Sequence, residues 1–267
     1  MAVSVDAAEL LALAERAARR AGALLAARFE AGRETSVASK STPTDPVSEA
    51  DLASQRAIRE LLAAERPEDS FLGEEEGADQ RGSSGIRWVV DPLDGTVNYL
   101  YGIPQWCVSI AAFDEHGALA GVVHDPLHSE TFTALRGGRA ACNGAELAWR
   151  GDLVVELGQS LLATGFAYDP ALRARQGELV ARLLPQVRDI RRFGSAALDL
   201  AWTAIGRHDA FYERGVKLWD TAAGVLVCEA VGLAAADVGG GTLVAQSELL
   251  GRLAAIIEAD RTSAQGR

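Results

Sequence analysis

Apolar positions near the start of the chain recur with the period of a helix. Leu10, Leu13 and Ala17 fall on or near one face, and Asp6 precedes them as a candidate cap. Charged residues interrupt the stretch, so the pattern predicts an amphipathic helix and argues against a secretory signal or a membrane span. A second helix, opened by a serine cap, is predicted over about 48–65.

Short β-like runs follow these two helices, each bounded by turn residues. They predict strands at 70–72, 88–90, 107–112, 119–124 and 131–135. Asn143-Gly144 has the composition of a hairpin turn. Consecutive short strands joined by tight turns predict an antiparallel sheet.

The second half of the chain alternates between helices and strands. Helices are predicted near 171–184, 195–206, 219–231 and 246–258. Strands are predicted near 187–191, 209–213 and 233–238. Because this α/β rhythm differs from the first half, we predict two domains. They are an N-terminal α+β domain over 1–147 and a C-terminal α/β domain over 148–267.

Composition adds two constraints on function. The chain has 267 residues, 48% of them hydrophobic, and a formal net charge of -11. It can therefore bury a sizeable core, and its negative charge argues against general nucleic-acid binding, since the phosphate backbone would be repelled. The three cysteines, Cys107, Cys142 and Cys228, are far apart and indicate neither a disulfide framework nor a thiolate metal site. A reducing cytoplasm is the expected location.

The segment RWVVDPLDGTVNYL places two carboxylates directly behind an apolar run. Asp91 and Asp94 are separated by Pro-Leu and could face the same cations. The carbonyl of Leu93, which lies between them, is a further hard oxygen ligand of the kind that Mg²⁺ takes. The alternative is an ordinary exit from a strand into a turn, because Asp, Pro and Gly are common turn residues.

Two acidic residues elsewhere in the chain are candidates to complete a metal site. Glu74 follows a predicted strand, and Asp220 stands where a helix is predicted to begin. Alone, the first is typical of a solvated loop and the second of a helix N-cap. Taken with the two aspartates behind the apolar run, they predict a site for Mg²⁺ built at rigid positions of the fold.

The residues after Asp94 suit a phosphate group. Gly95 allows close approach of the backbone, Thr96 offers a hydroxyl and an N–H, and a helix starting at Val97 would point its amides at an anion. A phosphatase with an aspartyl nucleophile would carry D-x-D-G-T, but here that nucleophile position is Pro92. A covalent aspartyl-phosphate route is therefore disfavoured.

Three blocks of the sequence resemble the inositol monophosphatase family of Mg²⁺-dependent, lithium-sensitive phosphatases. The matching blocks are GEEEG at 73–77, WVVDPLDGTVNYLYGIPQWCVSIA at 88–111 and LWDTAAGVLVCEA at 218–230. The resemblance runs in unbroken order over about residues 8 to 258. It implies a layered αβαβα sandwich of the sugar-phosphatase type, with an antiparallel N-terminal sheet and a mixed C-terminal sheet.

The resemblance also implies metal ligands. Glu74, Asp91 and the carbonyl of Leu93 would hold a first Mg²⁺, and Asp91, Asp94 and Asp220 a second. A third, weaker site would use Glu74 and water, which gives two or three ions per subunit.

Catalytic and substrate roles follow from the same resemblance. Glu74 and Thr96 would orient the attacking water, and the amides of Gly95 and Thr96 would hold the phosphate. The sugar hydroxyls would be bound by Glu213 and the backbone near Ser195 and Ala196, with help from Asp94 and Asp220. Lys40, Asp45 and Asp51 match a segment that closes near the metals, and Asp51 would act through Thr96.

The implied reaction is hydrolysis of myo-inositol monophosphate by a metal-activated water, without an enzyme-phosphate intermediate. Alternative substrates are histidinol phosphate, fructose 1,6-bisphosphate and 3′-phosphoadenosine 5′-phosphate. A regulatory binding protein on the same scaffold is the alternative of a different class. The expected partner is a small phosphorylated polyol, with no nucleic acid and no membrane, in a homodimer.

Overall fold

The computed structural model describes residues 6–32, 37–39, 46–75 and 79–265. The first half contains helices α1 and α2, a short helix α3 and nine strands. In chain order they are α1 (Ala7–Ala31), β1 (Val37–Ser39), β2 (Pro46–Ser48), α2 (Glu49–Glu65), β3 (Ser70–Gly73), β4 (Arg87–Asp94), α3 (Thr96–Leu100), β5 (Cys107–Asp114), β6 (Gly117–Asp125), β7 (Glu130–Leu135), β8 (Ala140–Cys142) and β9 (Ala145–Glu146).

The second half alternates as its sequence pattern predicts. A 3-10 turn at Leu157–Gln159 precedes the first strand. The elements are β10 (Leu161–Thr164), α4 (Pro170–Leu183), β11 (Asp189–Arg191), α5 (Ala196–Ile205), β12 (Ala210–Arg214), α6 (Leu218–Ala230), β13 (Ala234–Val238), β14 (Gly241–Ala245) and α7 (Ser247–Gln265).

Helix caps explain where the first two long helices begin. The Asp6 carboxylate accepts the Ala8 N–H at 2.9 Å and opens α1. At α2, the Ser48 hydroxyl faces the Ala50 and Asp51 amides, and the Asp51 carboxylate accepts the Ser48 N–H at 2.7 Å. This reciprocal capping box confirms the predicted serine cap.

The larger sheet has seven strands in the order β3-β4-β5-β6-β7-β8-β9. All neighbours from β4 onward are antiparallel, as predicted, and Asn143 and Gly144 form the β8–β9 turn with positive φ at both residues. The edge strand β3 differs, because it pairs parallel to β4 with Gly73 opposite Val90. Parallel neighbours must begin at the same end of the sheet, and the connection over 74–86 has the length that such a crossover needs.

The smaller sheet has five strands in the order β11-β10-β12-β14-β13 and is mixed, as predicted. Strands β11, β10 and β12 run parallel, while β14 is antiparallel to both of its neighbours. Two of its strands, β10 and β14, were not predicted. Each has only four or five residues and lies beside glycine-rich or irregular segments, so its pattern is too short to identify a strand.

Three apolar clusters separate five layers. Helices α1 and α2 cover one face of the larger sheet, with Leu10, Leu25 and Ile58 packed against Trp88 and Ile110. Helices α5 and α6 lie between the sheets, and α4 and α7 cover the outer face of the smaller sheet. The predicted αβαβα sandwich is therefore confirmed. The chain passes from the larger sheet to the smaller after Glu146, while the division into domains at 147/148 stays a prediction.

Within the described residues, no helix combines the length and apolar character needed to cross a membrane.

Candidate active site and metal centre

The parallel pairing of β3 and β4 brings the first two candidate carboxylates together. Glu74 directly follows β3, and its N–H donates to the Val90 carbonyl at 3.1 Å, one residue before Asp91. The Asp91 side chain is 2% exposed and is hydrogen-bonded to the Glu74 carboxyl group. Two acidic residues that are far apart in sequence thus become neighbours at one sheet edge.

An irregularity in β4 separates Asp91 from Asp94. Asp91 lies opposite Ser109 and Asp94 opposite Cys107, so β4 has one residue more than β5 over this stretch. The Leu93 N–H turns back to the Asp91 carboxylate at 3.0 Å. The bulge therefore lets two aspartates three positions apart line the same cleft, together with Leu93.

Asp94 is held by the start of α5. One of its oxygens, Oδ2, accepts hydrogen bonds from the Ser195 hydroxyl and the Ala197 N–H, each at 2.7 Å. Burial raises the pKa of Asp94 to about 6, although these hydrogen bonds oppose the shift. The Ala196 N–H is a further backbone donor to this carboxylate and likewise lowers its pKa.

Asp220 occupies the third position of α6 and not its N-cap, so the simple N-cap explanation is wrong. The helix begins at Leu218, and Asp220 Oδ2 accepts the Lys217 N–H at 2.6 Å. The Ser109 hydroxyl donates to the Trp219 carbonyl at 3.1 Å and ties this end of α6 to β5. Asp220 is thereby carried to the same cleft from the second half of the chain.

Gly95 and Thr96 form the floor next to Asp94. Gly95 has φ +98°, and a Cβ there would lie 2.9 Å from the Gln105 carbonyl, so only glycine fits. Helix α3 begins at Thr96, one residue earlier than predicted. The Thr96 hydroxyl reaches Asp51 Oδ1 at 2.9 Å and the Leu93 carbonyl at 3.1 Å. The fully buried Asp51 thus links the α2 capping box to Thr96.

Of the predicted site residues that the structure describes, all except Asp51 and Ser195 line one cleft of about 440 Å³. Those two contact Thr96 and Asp94 from behind. We call Glu74, Asp91, Asp94 and Asp220 the acidic wall. We call Gly165, Arg192, Ala196 and Glu213 the C-terminal wall. Lys40 and Asp45 lie outside the described residues.

The acidic wall has the electrostatics of a cation site. The pKa of Asp91 is raised well above its usual value by burial and then by the charges of Glu74, Asp94 and Asp220. The pKa of Asp220 is raised by burial, followed by Asp94 and Glu74. Gathered carboxylates that repel one another fit a divalent ion, which would offset their charge.

Among the described side chains, no three His, Cys, Asp or Glu residues converge tightly enough to hold a metal ion by themselves. Asp91, Asp94 and Asp220 each use one oxygen to accept a backbone N–H. This open arrangement suits Mg²⁺, which is usually held by one or two carboxylates, several waters and substrate phosphate oxygens. A closed cage, as in structural zinc sites, is not what these residues form.

The C-terminal wall lines the same cleft and touches the acidic wall where Ser195 and Ala197 bind Asp94. Glu213 lies near the end of β12, and burial raises its pKa to about 8, with the charge of Arg192 opposing the shift and that of Asp94 adding to it. Ala196 and Ser195 stand at the start of α5, where the Ser195 hydroxyl also faces the Leu198 N–H at 3.4 Å. This wall therefore offers one carboxyl group, one guanidinium group and the backbone at the start of α5.

The model of the inositol monophosphatase family matches residues 6–265. This chain belongs to the inositol monophosphatase family. The inositol-1-monophosphatase of Mycobacterium leprae is 45% identical to it over 203 residues, which are 73% of this chain and 69% of that relative. The Nus factor SuhB of Escherichia coli K12 is 38% identical over 233 residues, or 87% and 86% of the two chains.

Solved structures of family members share the fold. Mycobacterium tuberculosis SuhB has a TM-score of 0.80 at 38% identity, covering 95% of this chain and 97% of that one. The extragenic suppressor protein suhB of Bartonella henselae has a TM-score of 0.87 at 32% identity, covering 94% and 98%. As an inositol monophosphatase family member, the chain is a phosphatase.

Sequence reasoning missed part of the C-terminal wall of this family member. Gly165 follows the unpredicted strand β10, and neither Gly165 nor Arg192 is among the predicted site residues. Trp219 is half-buried and also lines the cleft. The parallel pairing of β10 with β12 brings position 165 beside Glu213, and no local sequence signal reports a pairing between distant strands.

Proposed function

We propose that this phosphatase depends on Mg²⁺ and hydrolyses myo-inositol monophosphate to inositol and phosphate. The observation that carries the proposal is the juxtaposition, in one cleft, of the acidic wall with Gly95, Thr96 and Glu213. A phosphate ester can lie across that cleft with its phosphate near the carboxylates and its alcohol toward Glu213. The volume of about 440 Å³ lies within the ordinary range for small-molecule sites.

The acidic wall fits a hard divalent ion. Glu74, Asp91 and the Leu93 carbonyl would hold a first Mg²⁺, and Asp91, Asp94 and Asp220 a second. Bound there, Mg²⁺ supplies Lewis acidity, which makes a water molecule more acidic and neutralises charge on the phosphate and the leaving oxygen. A third, weaker ion beside Glu74 belongs to the same proposal.

The chain itself orients the reacting groups. The Thr96 hydroxyl is anchored by Asp51, and Glu74 is fixed by its backbone bond to Val90, so the two side chains suit the positioning of the attacking water. The Gly95 and Thr96 amides suit the phosphate oxygens, since Gly95 allows close approach. Pro92 occupies the place of an aspartyl nucleophile, which supports direct attack by water.

The alcohol side is assigned to the C-terminal wall. Glu213 can accept hydrogen bonds from polyol hydroxyls, and the backbone near Ser195 and Ala196 offers further partners. Asp94, which is held by Ser195, and Asp220 would assist in binding the same alcohol. Recognition by several oxygens suits a polyhydroxylated leaving group.

A substrate panel tests this function. Inositol 1-phosphate, histidinol phosphate, fructose 1,6-bisphosphate and 3′-phosphoadenosine 5′-phosphate are compared at equal enzyme concentration, with Mg²⁺ and with chelator. We expect phosphate release only with Mg²⁺, and the highest kcat/KM for inositol 1-phosphate. Release that persists in chelator would overturn the metal dependence, and a higher kcat/KM for another ester would overturn the substrate.

A second candidate is a regulatory binding role on the same scaffold. It is supported by relatives named Nus factor SuhB in Pasteurella multocida, Haemophilus influenzae and Escherichia coli, at 38–40% identity. The net charge of -11 favours a protein partner over direct contact with nucleic acid. Retention of one defined partner by both wild type and Asp94→Asn would separate this role from catalysis.

Cytoplasmic location and a homodimer are also part of the proposed function.

A further inference from the structure

Gly165 and Glu213 are neighbours because β10 and β12 run parallel. Thr164 lies opposite Tyr212, and its hydroxyl donates to the Tyr212 carbonyl at 2.6 Å. One residue further along, Gly165 directly follows β10 and Glu213 continues β12. Both residues line the cleft.

The Glu213 carboxyl group occupies the space that a side chain at position 165 would need. A Cβ built on Gly165 would overlap both Glu213 carboxyl oxygens and the carbon that joins them. All of its nearest atoms belong to this one carboxyl group, so the obstacle is the mobile end of a side chain and not backbone. Gly165 is also absent from the residues with positive φ, so alanine is compatible with its backbone.

The surrounding backbone is held in place by Gln176. This buried amide accepts the Ala167 N–H at 2.8 Å and donates to the Arg214 carbonyl at 3.0 Å. It thereby joins the segment after Gly165 to the strand that carries Glu213. With the backbone bridged on both sides, a side chain at position 165 would move the Glu213 carboxyl group and not the strands.

We propose that Gly165 is a positioning residue that sets substrate specificity, because its missing side chain lets the Glu213 carboxyl group fold against β10 and leaves room for a cyclic polyol. A larger residue at position 165 would push Glu213 into the cleft, into the space of the leaving alcohol. The inference rests on the proposed function, in which Glu213 binds the polyol. It identifies the favoured substrates as phosphate esters of bulky, ring-shaped polyols, as distinct from small linear alcohols.

A double-mutant cycle tests the proposal with Gly165→Ala, Glu213→Ala and the combined variant. The substrates are inositol 1-phosphate, which has a ring-shaped alcohol, and glycerol 2-phosphate, which has a small one. For Gly165→Ala we expect KM for inositol 1-phosphate to rise about tenfold, with kcat changed less than about threefold and KM for glycerol 2-phosphate nearly constant. In the Glu213→Ala background, the same substitution should change neither KM, since the colliding group is gone.

Gly177→Ala is the matched control, because Gly177 lies on an exposed part of α4 and a Cβ there meets nothing within 4 Å. It should leave all kinetic constants unchanged. Equal effects of Gly165→Ala in both backgrounds, or equal effects on both esters, would overturn the positioning role. Absence of Mg²⁺-dependent hydrolysis in every variant, wild type included, would instead refute the proposed function. A Glu213→Ala enzyme with wild-type KM for inositol 1-phosphate would refute the assignment of Glu213.

Discussion

The two walls of the cleft are built in different ways. Two of the four residues of the acidic wall, Asp91 and Asp94, come from one short segment, in which a bulge in β4 leads directly into Gly95 and Thr96. The C-terminal wall is assembled from β10, the start of α5 and β12, which are distant in sequence. The first wall gathers like charges that repel one another, and the second combines Glu213 with Arg192.

This difference has a functional consequence. A contiguous motif holds its groups at nearly constant mutual distances, which suits a metal and a phosphate whose geometry is the same in every substrate. In a wall assembled from separate elements, one side chain can be substituted without moving the others. We therefore expect substitutions in the acidic wall to act on kcat, and those in the C-terminal wall to act on KM.

The largest effect is expected for Asp94→Asn. It removes one negative charge from the acidic wall while keeping the side-chain size and its contact with α5. We expect kcat at saturating Mg²⁺ to fall at least about 100-fold. Removal of a single group that stabilises charge in the transition state has an effect of this size in other enzymes. Circular dichroism should show an unchanged fold. Near-normal turnover would contradict the expectation that the acidic wall controls kcat.

Each half of the molecule contains a buried histidine that should make its stability fall at acid pH. His124 in β6 and His208 before β12 are both buried, and burial lowers the pKa of each to about 4. The unfolded chain, with its histidine pKa near 6.5, takes up these protons first as the pH falls. The free energy of unfolding should therefore drop between about pH 6.5 and pH 4, by up to about 3 kcal/mol for each histidine.

Chemical denaturation of His124→Asn and His208→Asn at several pH values measures these contributions. Each variant should lose stability less steeply over that pH range than wild type does. His116→Asn is the control, because His116 is exposed on the turn between β5 and β6. Identical slopes for wild type and both buried-site variants would contradict the assignment.

The smallest effect is expected for Glu213→Gln. The amide keeps the shape of the side chain and one acceptor oxygen but removes the option of a full negative charge. We expect KM for inositol 1-phosphate to rise about three- to tenfold with kcat within about threefold, in steady-state assays at saturating Mg²⁺. A large loss of kcat with constant KM would mean that Glu213 belongs functionally with the acidic wall.

The sequence was informative where chemistry and local structure coincide. The Asp91–Thr96 stretch, the Ser48 cap and the Asn143-Gly144 hairpin each have a local signature, and each was predicted. The resemblance to the family supplied Glu213 and the layered architecture. It could not supply the parallel β3–β4 edge or the contact of Gly165 with Glu213, because both depend on which distant strands pair.

Short strands were also missed by the sequence-based prediction. Strands β1, β2, β10 and β14 have only three to five residues each, which is too few for a period of two to stand out. Helix α6 begins at Leu218, one residue before its predicted start near 219, because helix ends are uncertain by several residues when they are judged from sequence.

Calorimetric titration of Mg²⁺ into the protein measures whether the acidic wall holds this ion, as we propose. Asp91→Asn is compared with wild type and with Asp114→Asn, which alters an aspartate paired with Arg136 away from the cleft. We expect Asp91→Asn to lower Mg²⁺ affinity at least about tenfold. In chelator, the same substitution should raise the melting temperature, because carboxylate repulsion is relieved. Asp114→Asn should bind Mg²⁺ as wild type does. Equal Mg²⁺ affinity in wild type and Asp91→Asn would contradict the claim.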